Sequence, residues 1–487
     1  MVRTYGRCPE GVEMKNLITC LVVCVLSGAT FATTWTVDDD GKADFNNIQD
    51  AIDVAQNGDY IAVQDGIYFE SIDFLGKDIT VEGTTAEKVI IDGSKGTSSV
   101  VTFKNGETQQ AMISRCTIQG GRGNFWLDPI FGQQRCGGGV YCEGTSPTIA
   151  GCNIQENIAW GGGGIFATQG SPLIMYNNIV LNVAEGHGGG IYFNDHVSAT
   201  IDSCEVQDNI ASWGGGMTCT VRCDPTIVNS SFNANITINV GGGIFIRSSS
   251  SPIVSWSEFK NNVQISNPLG SGGGVCIYGS GEGGGPCYPT FTQCDFEGNA
   301  VLGDGGGMSA AYDSHPILTN CAFRNNTAGR SGGGLACVAD PGHLYPSNAE
   351  VRNCLVELNH ANEEGGGIHV RYSDPLFESV DVYENTAINT GGGINFFESP
   401  SATLQESNVC SNSLNQIEGQ FTDGGKNIIC DSTCPYDIDG DGNVAVTDLL
   451  AIIDQWGLAD SPADVNFDGI VDVSDLLIVV GNWGPCE

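Results

Sequence analysis

Three consecutive glycines followed by an aliphatic residue recur through most of this chain, and this repeat constrains the fold more than any other feature. The aliphatic residues of the ten copies are Val140, Ile165, Ile191, Met217, Ile244, Val275, Met308, Leu335, Ile368 and Ile394. Successive copies are 25 to 33 residues apart. A period of roughly 20 to 50 residues is typical of a solenoid, in which each repeat forms one coil.

The segments between the glycines indicate the kind of solenoid. They are short, alternate in polarity and are rich in β-branched residues, as in Ile165-Phe166-Ala167. No interval contains a capped helical pattern of about ten residues, which excludes leucine-rich and helical repeats. The sequence therefore predicts an all-β parallel β-helix whose coils lie about 4.8 Å apart, and we expect it to be right-handed.

An asparagine precedes nine of the ten triplets at a similar distance. These asparagines are Asn157, Asn182, Asn209, Asn235, Asn262, Asn299, Asn326, Asn359 and Asn385, and Asn412 opens a coil without a triplet. Equivalent positions stack in a parallel β-helix, so we expect the amides to form a hydrogen-bonded ladder inside a corner of the coil. Glycine suits a sharp turn and a close backbone approach beside that corner.

A second column is often cysteine. Its cysteines are Cys116, Cys152, Cys204, Cys294, Cys321 and Cys354. Serine, asparagine and valine occupy the same position in other coils, as at Asn177, Ser230 and Val380. We therefore expect an interior column of small side chains, in which the thiols act as apolar groups rather than as a metal or redox site.

Phenylalanine stands three residues before the asparagine in four consecutive repeats, at Phe232, Phe259, Phe296 and Phe323. With the glycine-rich turns that follow them, these segments resemble the paired FxxN and GGAI repeats of chlamydial polymorphic outer membrane proteins. Here GGG with an aliphatic residue replaces GGA with isoleucine. The resemblance implies β-helical coils over residues 110 to 415.

The charge composition bears on the class of partner. The chain has 57 acidic and 19 basic residues among 487, a net charge of −38. Such a surface repels phosphate backbones and anionic membranes, which argues against nucleic acid as a partner. It favours divalent cations and an extracellular environment.

The amino end contains an export signal. Lys15 precedes the apolar run LITCLVVCVLSGATFA, which is too short to span a bilayer and ends in small residues. We interpret residues 1–32 as a signal peptide, with Met14 as an alternative start, and expect a secreted or surface protein without a transmembrane segment in the mature chain. Export permits disulfides. The candidate bridges are Cys136/Cys142, Cys219/Cys223, Cys276/Cys287 and Cys410/Cys430.

Residues 33–110 are predicted to form the entrance of the solenoid, and residues 111–430 its repeats. An amphipathic helix is expected from Ile48 to Ala55, with Ala51 and Ile52 on its apolar face. A helix followed by alternating strands resembles the amino-terminal cap of secreted β-helix carbohydrate enzymes such as polygalacturonases and pectin methylesterases. This resemblance implies that the helix plugs the open end of the solenoid.

Residues 435–487 contain two acidic loops, each followed by an apolar helix. Oxygen ligands stand at loop positions 1, 3, 5 and 12 with glycine at position 6, a spacing that wraps them around one hard cation such as Ca²⁺. At position 7 the expected ligand is a backbone carbonyl oxygen, that of Asn443 or Ile470. Asp472 stands at position 9 of the second loop. The predicted ligands of two Ca²⁺ sites are Asp437, Asp439, Asp441, Asn443 and Asp448, and Asp464, Asn466, Asp468, Ile470, Asp472 and Asp475.

This small α-helical, EF-hand-like module resembles a type I dockerin. The duplicated loop, aspartate rather than glutamate at position 12, and the loop-then-helix order without an entering helix carry the resemblance. It implies a calcium-dependent attachment to a cohesin-bearing scaffold protein. Where no cohesin exists, such a module would act as a surface tether.

Two sets of residues are candidates for a ligand or catalytic site on the solenoid. Alternation directs the residue after each triplet aliphatic outward, which predicts an exposed aromatic stripe able to stack on sugar rings. Its members are Tyr141, Phe166, Tyr192 and Phe245. The alternative is that a loop or terminal segment covers these rings. His369 and Arg371 would project side by side from one coil, as a base and its neighbour would in a lyase.

Two classes of function follow from these patterns. The first is a secreted, non-catalytic carbohydrate-binding or structural module displayed through its calcium-dependent tail, in a polysaccharide-handling setting. The second is a polysaccharide lyase or glycoside hydrolase acting in polysaccharide catabolism. The acids of segments such as FNDHVS and AAYDSHP are scattered one to a coil, without the paired carboxylates that glycosidases need. The sequence therefore favours binding over catalysis.

Overall fold

A computed structural model describes residues 32–128, 132–279, 284–339, 341, 345–430, 436–438, 443–459, 461, 463–466 and 468–485. The predicted signal peptide lies outside these residues except for its last position. In the described part, a stack of parallel strands extends from Thr34 to Ile429. A complete coil supplies one strand to each of four sheets, here named C, A, B and D in the order in which the chain visits them. The predicted parallel β-helix is confirmed.

Sheets A and C supply two of the walls of the solenoid. The strands of sheet A are Thr34–Val37, Tyr60–Val63, Thr80–Gly83, Met112–Ser114, Thr148–Ala150, Leu173–Met175, Thr200–Asp202, Thr226–Val228, Ile253–Ser255, Thr290–Thr292, Ile317–Thr319, Glu350–Arg352, Leu376–Glu378, Thr403–Gln405 and Thr422–Gly425. Those of sheet C are Ile72–Asp73, Val101–Phe103, Val140–Glu143, Ile165–Thr168, Ile191–Asn194, Met217–Thr220, Ile244–Arg247, Val275–Tyr278, Met308–Ala311, Leu335–Val338, Ile368–Arg371, Ile394–Phe397 and Ile417–Gly419.

Sheet B is the third wall, and sheet D lies between the ladder asparagines and the glycine triplets. The strands of sheet B are Gly66–Tyr68, Val89–Asp92, Thr117–Gln119, Asn153–Gln155, Asn178–Val180, Glu205–Gln207, Ser231–Asn233, Glu258–Lys260, Asp295–Glu297, Ala322–Arg324, Leu355–Glu357, Asp381–Tyr383, Asn408–Cys410 and Ile428–Ile429. Those of sheet D are Asn124–Asp128, Gly132–Cys136, Ile158–Gly161, Val183–His187, Ile210–Trp213, Ile236–Val240, Val263–Gln264, Ala300–Val301, Thr327–Ala328, His360–Ala361 and Thr386–Ala387.

The asparagine ladder runs through the stack as the repeat predicted. The Nδ2 of Asn182 donates to the Oδ1 of Asn209 at 3.1 Å and to the carbonyl of Ile154 at 2.8 Å. The Oδ1 of Asn209 also accepts from the backbone N–H of Asn182 at 3.0 Å. The ladder asparagines from Asn157 to Asn385 have no exposed surface, so they satisfy one another and the backbone in place of water.

The glycine triplet is required for two different reasons. Its first residue has a left-handed backbone, with φ of +60° at Gly162. A Cβ on the second or third residue would meet the triplet of the next coil, since a Cβ on Gly163 would lie 2.5 Å from the carbonyl oxygen of Gly189. A Cβ on Gly164 would lie 2.6 Å from that of Gly190. Stacked triplets are therefore too close together for any side chain.

Apolar side chains from sheets A, B and C fill the interior. Phe232, Phe259, Phe296 and Phe323 are stacked with ring centroids 4.5 to 5.3 Å apart. The cysteine column is buried beside them, and the Sγ of Cys354 accepts from the backbone N–H of Cys321 at 3.4 Å. Burial of each such side chain contributes roughly 1.5–3 kcal/mol relative to exposure.

Helix α1, Ile48–Val54, covers the amino-terminal end of the interior. The predicted apolar face is confirmed, because Ile48, Ala51 and Ile52 have no exposed surface. The Asn47 side chain accepts from the N–H of Asp50, and the carboxylate of Glu70 accepts from the N–H groups of Ile48 and Gln49. The helix thus starts where its free N–H groups have partners.

The carboxyl-terminal module contains helices α2, Val446–Asp454, and α3, Val473–Gly481. The helices pack around Ile452, Val471 and Val479, and Asn443–Val444 pairs with Gly484–Pro485 in an antiparallel ribbon. The module therefore has a small apolar core of its own. None of the helices in the described residues is long and apolar enough to cross a bilayer.

One of the four candidate disulfides is present. Cys410 and Cys430 are bonded, whereas the cysteines of the other three candidate pairs are free and buried. Cys136 packs against the outer rings of Tyr141 and Phe166, whereas Cys142 belongs to the interior core, so the two thiols lie on opposite sides of the wall. Cys276 and Cys287 are separated in the same way. Both Cys219 and Cys223 are buried in the interior without being bonded.

Candidate functional site

The predicted exposed aromatic stripe is buried, which corrects the expectation for Tyr141, Phe166, Tyr192 and Phe245. Each of these side chains is at most 2% exposed. Their rings do point away from the interior, but sheet D lies over them, with Trp126 and Trp160 packed against the first three. Trp213 contributes to the cover over Phe245. The alternative prediction, that a loop or terminal segment covers the rings, is right that they are covered but wrong about the cover, which consists of sheet D strands of the coils themselves.

The covered region is called the outer seam. It comprises the outward residues of sheet C together with the residue that directly precedes each glycine triplet. In the early coils the seam is aromatic, and the His187 ring stacks between Tyr192 at 5.2 Å and Trp213 at 4.9 Å. Burial lowers the pKa of His187 to about 3, so the ring is neutral. This half of the seam is a second apolar core.

In the later coils the outer seam is charged. The column that directly precedes the triplets contains Ser271, Asp304, Ser331 and Glu364 in consecutive coils. Arg330 lies between the acids, with its Nη1 3.4 Å from Asp304 Oδ2 and its Nε 3.7 Å from Glu363 Oε2. Stacking thus places Asp304 and Glu364, which are 60 residues apart in the chain, in one column.

His369 and Arg371 belong to this charged region. Both lie on the strand Ile368–Arg371 and face outward, as their alternation predicted. His369 is 3% exposed, and its Nδ1 lies 3.9 Å from Glu364 Oε2. Burial, reinforced by the charges of Arg371 and Arg330, lowers the pKa of His369 to about 3. A general base works best with a pKa near the operating pH, so His369 is suited to hydrogen bonding rather than to proton abstraction.

The pKa values of Asp304 and Glu364 are raised, whereas that of His369 is lowered. Burial raises the pKa of Asp304 although Arg330 and Arg371 lower it. Burial and the neighbouring charge of Glu363 raise the pKa of Glu364. We name the set of Asp304, Arg330, Glu363, Glu364, His369 and Arg371 the late-coil polar cluster. Its three carboxylates outnumber its two guanidinium groups, so the cluster has an excess of acidic groups.

Buried polar side chains lie below the charged groups of this cluster and form its floor. The Ser309 Oγ atom is buried without a hydrogen-bond partner, and the buried side chains of His369 and Asn395 are neighbours whose contact raises the pKa of His369 against the larger effect of burial. All three residues belong to one outward column of sheet C, in which Ala336 stands between Ser309 and His369. Since most buried polar groups in proteins have a partner, the floor is suited to hydrogen bonding with a ligand or water.

In the second acidic loop, the predicted calcium ligands accept hydrogen bonds from backbone N–H groups of the same loop. Asp464 is 6% exposed and Asp475 has no exposed surface. The Asp475 carboxylate accepts from the N–H groups of Asn466 and Asp472, and Asp464 accepts from those of Asp468 and Gly469. Burial and the charges of Asp475 and Asp468 raise the pKa of Asp464. Ile470, whose carbonyl is the predicted ligand, is exposed at the end of the loop.

The first loop repeats this arrangement in its described residues. Asp437 and Asp448 are buried, and Asp448 accepts from the N–H groups of Ile438 and Ala445. The bond to Ala445 is equivalent to the Asp472–Asp475 bond of the second loop. Asn443 begins the short ribbon, and Asp439 and Asp441 lie outside the described residues.

The donor chemistry of the two loops fits a hard cation. Carboxylate, amide and carbonyl oxygens are the ligands that Ca²⁺ prefers. Buried carboxylates also need positive charge or hydrogen bonds nearby. Within the described ranges, no group of three or more His, Cys, Asp or Glu side chains is arranged to hold a metal ion.

Comparison with known proteins defines the family. A model of the right-handed β-helix region matches residues 40–283 and 233–409, and the chain therefore belongs to the right-handed β-helix family. The predicted handedness agrees with this assignment. No curated protein is significantly similar in sequence.

Solved structures resemble the chain at low identity. A pectin methylesterase from carrot is 16% identical over 55% of this chain and 83% of that chain, with a TM-score of 0.34. A mannuronic-acid-specific polysaccharide lyase of family 6 from human gut microbiota is 12% identical over 80% and 82%, with a TM-score of 0.42. A GH87 α-1,3-glucanase from Streptomyces thermodiastaticus is 15% identical over 79% and 65%, with a TM-score of 0.36.

Sequence reasoning missed most of the late-coil polar cluster. His369 and Arg371 were predicted because they follow a triplet, whereas the other members of the cluster stand before one. The position directly before the triplet contains Asp304 and Glu364, and Arg330 is one residue further from the glycines. The signal for these residues is the presence of charged side chains on both sides of the late triplets.

Proposed function

We propose that this chain is an exported polysaccharide-binding β-helix that is held on a partner protein by a calcium-dependent tail. Binding would occur at the late-coil polar cluster. The aromatic stripe is not part of the site, because sheet D covers it. Its role is to stabilise the contact between sheets C and D.

The observation that carries this proposal is the column of buried polar side chains at Ser309, His369 and Asn395, in which the Ser309 Oγ has no partner. The hydroxyl groups of a sugar donate and accept hydrogen bonds, so they can satisfy such atoms. Arg330 and Glu364 flank the floor and are each about one third exposed, which leaves charged groups at its edge. Because equivalent positions repeat along the stack, the seam favours an extended polymer over a compact molecule.

Two features support attachment through the tail. In each loop, the position-12 aspartate accepts a hydrogen bond from the backbone N–H of the residue that precedes the following helix. The carboxylates at positions 1 and 12 are buried in both loops. The resemblance to dockerins suggests a cohesin as the partner. Calcium would neutralise the buried carboxylates and fix the orientation of α2 and α3.

Binding is tested by affinity electrophoresis of the full chain through gels that contain acidic, neutral or amino-sugar polysaccharides, with calcium present. Retardation by at least one polymer is expected, and Arg330→Ala should weaken it several-fold. Arg352→Ala is the matched control, because Arg352 also lies between two acids, Glu350 and Glu378, but on sheet A. Equal loss in both variants, or no retardation by any polymer, would contradict the proposed site.

Attachment is tested by capture of the full chain on an immobilised cohesin. Capture should require calcium and should be lost when Asp448→Ala and Asp475→Ala are combined. Calcium-independent capture would contradict the role of the loops. Absence of capture with intact calcium binding would exclude the tested cohesin and favour a surface tether.

A polysaccharide lyase or glycoside hydrolase is the second candidate. The raised pKa of Asp304 and of Glu364 favours it, because a carboxyl group that keeps its proton can act as a general acid. Release of reducing or unsaturated ends from the retained polymer would establish catalysis. Loss of that release in Asp304→Asn, with retardation unchanged, would assign the acid.

A further inference from the structure

One wall of the solenoid carries far less charge than its neighbour. It consists of the outward residues of seven consecutive sheet A strands, from Thr148–Ala150 to Ile317–Thr319, and is called the neutral face. Among its fourteen outward residues, all of them described, Asp202 alone is charged. In the same coils, the charged outward residues of sheet B are Glu205, Glu258, Lys260, Asp295, Glu297 and Arg324. In a chain with a net charge of −38, the neutral face is suited to an uncharged partner.

The neutral face is regular and extended. Its strands pair in register, so that Thr226, Ile253, Thr290 and Ile317 form one column. Adjacent strands of a sheet lie about 4.8 Å apart, which gives a length of roughly 29 Å across the seven strands. Ile253 is 55% exposed and Ile317 is 36% exposed. The face therefore presents hydroxyl groups and apolar side chains next to one another over a long surface.

Two exposed aromatic rings stand at the edge of the neutral face. Tyr176 and Trp256 occupy the corner that follows sheet A and are 64% and 59% exposed. Their backbone is left-handed, with φ of +55° and +53°. This conformation suits asparagine or serine better than a bulky side chain, and Ser203 and Asn229 stand there in the two coils between them. Packing in the core does not explain exposed rings at such positions, so they are available to a ligand.

The residue types of the neutral face favour a carbohydrate over a protein. Threonine, serine, valine and leucine are under-represented at the energetic centres of protein interfaces, yet they make up most of this face. A sugar polymer offers hydroxyl groups to the threonines and apolar C–H groups to the two aromatic rings. A second copy of the chain is disfavoured, because it would bring the same net charge of −38.

We propose that the neutral face, together with Tyr176 and Trp256, binds the surface of an insoluble, uncharged polysaccharide. Packed chains of such a polymer form a flat surface of sugar rings and hydroxyl groups without charge, which matches the shape and composition of the face. A single soluble chain would cover only part of it. This site lies on sheet A, whereas the late-coil polar cluster lies along sheet C, so the two can be tested separately.

The test is adsorption of the calcium-loaded full chain to washed particles of microcrystalline cellulose, crystalline chitin and carboxylated cellulose. The protein that remains in the supernatant measures the bound fraction. Adsorption to at least one of the two neutral polymers is expected, with an affinity at least ten-fold higher than for the carboxylated particles. Equal or tighter adsorption to the carboxylated particles would contradict the uncharged ligand.

The aromatic residues are tested by combining Tyr176→Asn with Trp256→Asn, which should weaken adsorption at least ten-fold. Asparagine suits the left-handed corner, as Asn229 shows, so the coils should remain folded. The matched control combines Leu181→Asn with Leu358→Asn and should adsorb like the wild type. Both leucines are exposed with φ of +57°, but they stand at the corner that follows sheet B.

A charge within the face tests the rest of the surface. Thr290→Glu should weaken adsorption at least ten-fold, because the carboxylate would lose water on contact with an uncharged polymer. The column accepts this residue, since Glu350 stands in it one coil beyond Ile317. Asn233→Glu, at a partly exposed position of sheet B, is the control and should leave adsorption unchanged.

The outcomes separate this inference from the proposed site on the late coils. Absence of adsorption to both neutral polymers, or adsorption that neither the double aromatic variant nor Thr290→Glu weakens, would overturn the neutral face as a binding site. Retardation by a soluble polysaccharide that depends on Arg330 would then still support the late-coil polar cluster. A dimer in solution that Thr290→Glu dissociates would assign the face to a second copy of the chain instead.

Discussion

The Nδ2 of Asn235 donates to the Oδ1 of Asn262 at 3.0 Å, and both side chains are fully buried. The same bond joins ladder asparagines from Asn157 to Asn412. Each amide therefore depends on the coils on both sides of it. This dependence couples the local repeat to the stability of the whole stack.

Removing one ladder amide should destabilise the solenoid. In Asn262→Ala, the Nδ2 of Asn235 loses its side-chain acceptor, and the backbone N–H of Asn235 loses its partner as well. An unsatisfied buried group costs about 1–3 kcal/mol, so we expect the free energy of unfolding in urea to fall by roughly 3 kcal/mol. Asn233→Ala, at a partly exposed position of sheet B, should change it by less than about 0.5 kcal/mol. Equal effects would show that the ladder is not a main source of stability.

A methyl group within the triplet should be poorly tolerated. The Cβ of Gly243→Ala would lie 2.7 Å from the carbonyl oxygen of Gly274 in the next coil. Separating the two backbones would disturb the adjacent ladder bonds, so we expect a lower unfolding temperature. Gly96→Ala is the control, since its Cβ would meet nothing closer than 3.5 Å. A Gly243→Ala protein as stable as Gly96→Ala would contradict the close-approach explanation.

Stability should decline in acid because of the two buried histidines. Burial lowers the pKa of His187 and His369 to about 3, whereas an unfolded histidine has its ordinary value of about 6.5. The unfolded chain therefore binds more protons, and the stability present above pH 6.5 is lost as the pH falls toward 3. Each histidine contributes a slope of about 1.4 kcal/mol per pH unit within this window.

Urea unfolding at pH 6, 5 and 4 measures this slope. His369→Gln should reduce the slope even where it changes the absolute stability, and His187→Gln should do the same. His315→Gln serves for comparison, because His315 lies beside Asp313 at a partly exposed site. A slope that neither buried-site variant alters would mean that both rings are protonated in the folded chain.

The tail should bind two calcium ions per chain. Asp475→Ala removes the buried position-12 carboxylate of the second loop, and titration should then detect one ion. Asp454→Asn, at the exposed end of α2, should retain both. Thermal unfolding of the module should shift upward with calcium in the wild type, because binding favours the folded state. Two ions in Asp475→Ala would contradict the ligand assignment.

The repeat made the coils predictable because the ladder and the triplets are local patterns with one geometric solution. The buried ladder position of Asn262 and the close backbone approach at Gly243 were both predictable from their places in the repeat. The cover over Tyr141 and Phe166 was not predictable in this way, since alternation gives the direction of a ring but not what packs on it. Sheet D is built from short segments such as Ile158–Gly161, whose placement over sheet C depends on packing between coils.

The site was harder to predict for a related reason. Asp304 and Glu364 share a column only because their coils stack with one coil between them, and no other repeat has an acid at this position. At positions outside the triplet and the asparagine ladder, equivalent residues differ between coils. The residues that differ most from coil to coil are therefore the ones that form the candidate site.

The most direct test of polysaccharide binding is a crystal structure of the full chain with the tightest-binding oligosaccharide. We predict a sugar ring over Ser309, His369 and Asn395, with its polar groups within hydrogen-bond distance of Glu364. A sugar bound at full occupancy on sheet A or sheet B, with the late-coil polar cluster empty, would contradict the assignment of this site.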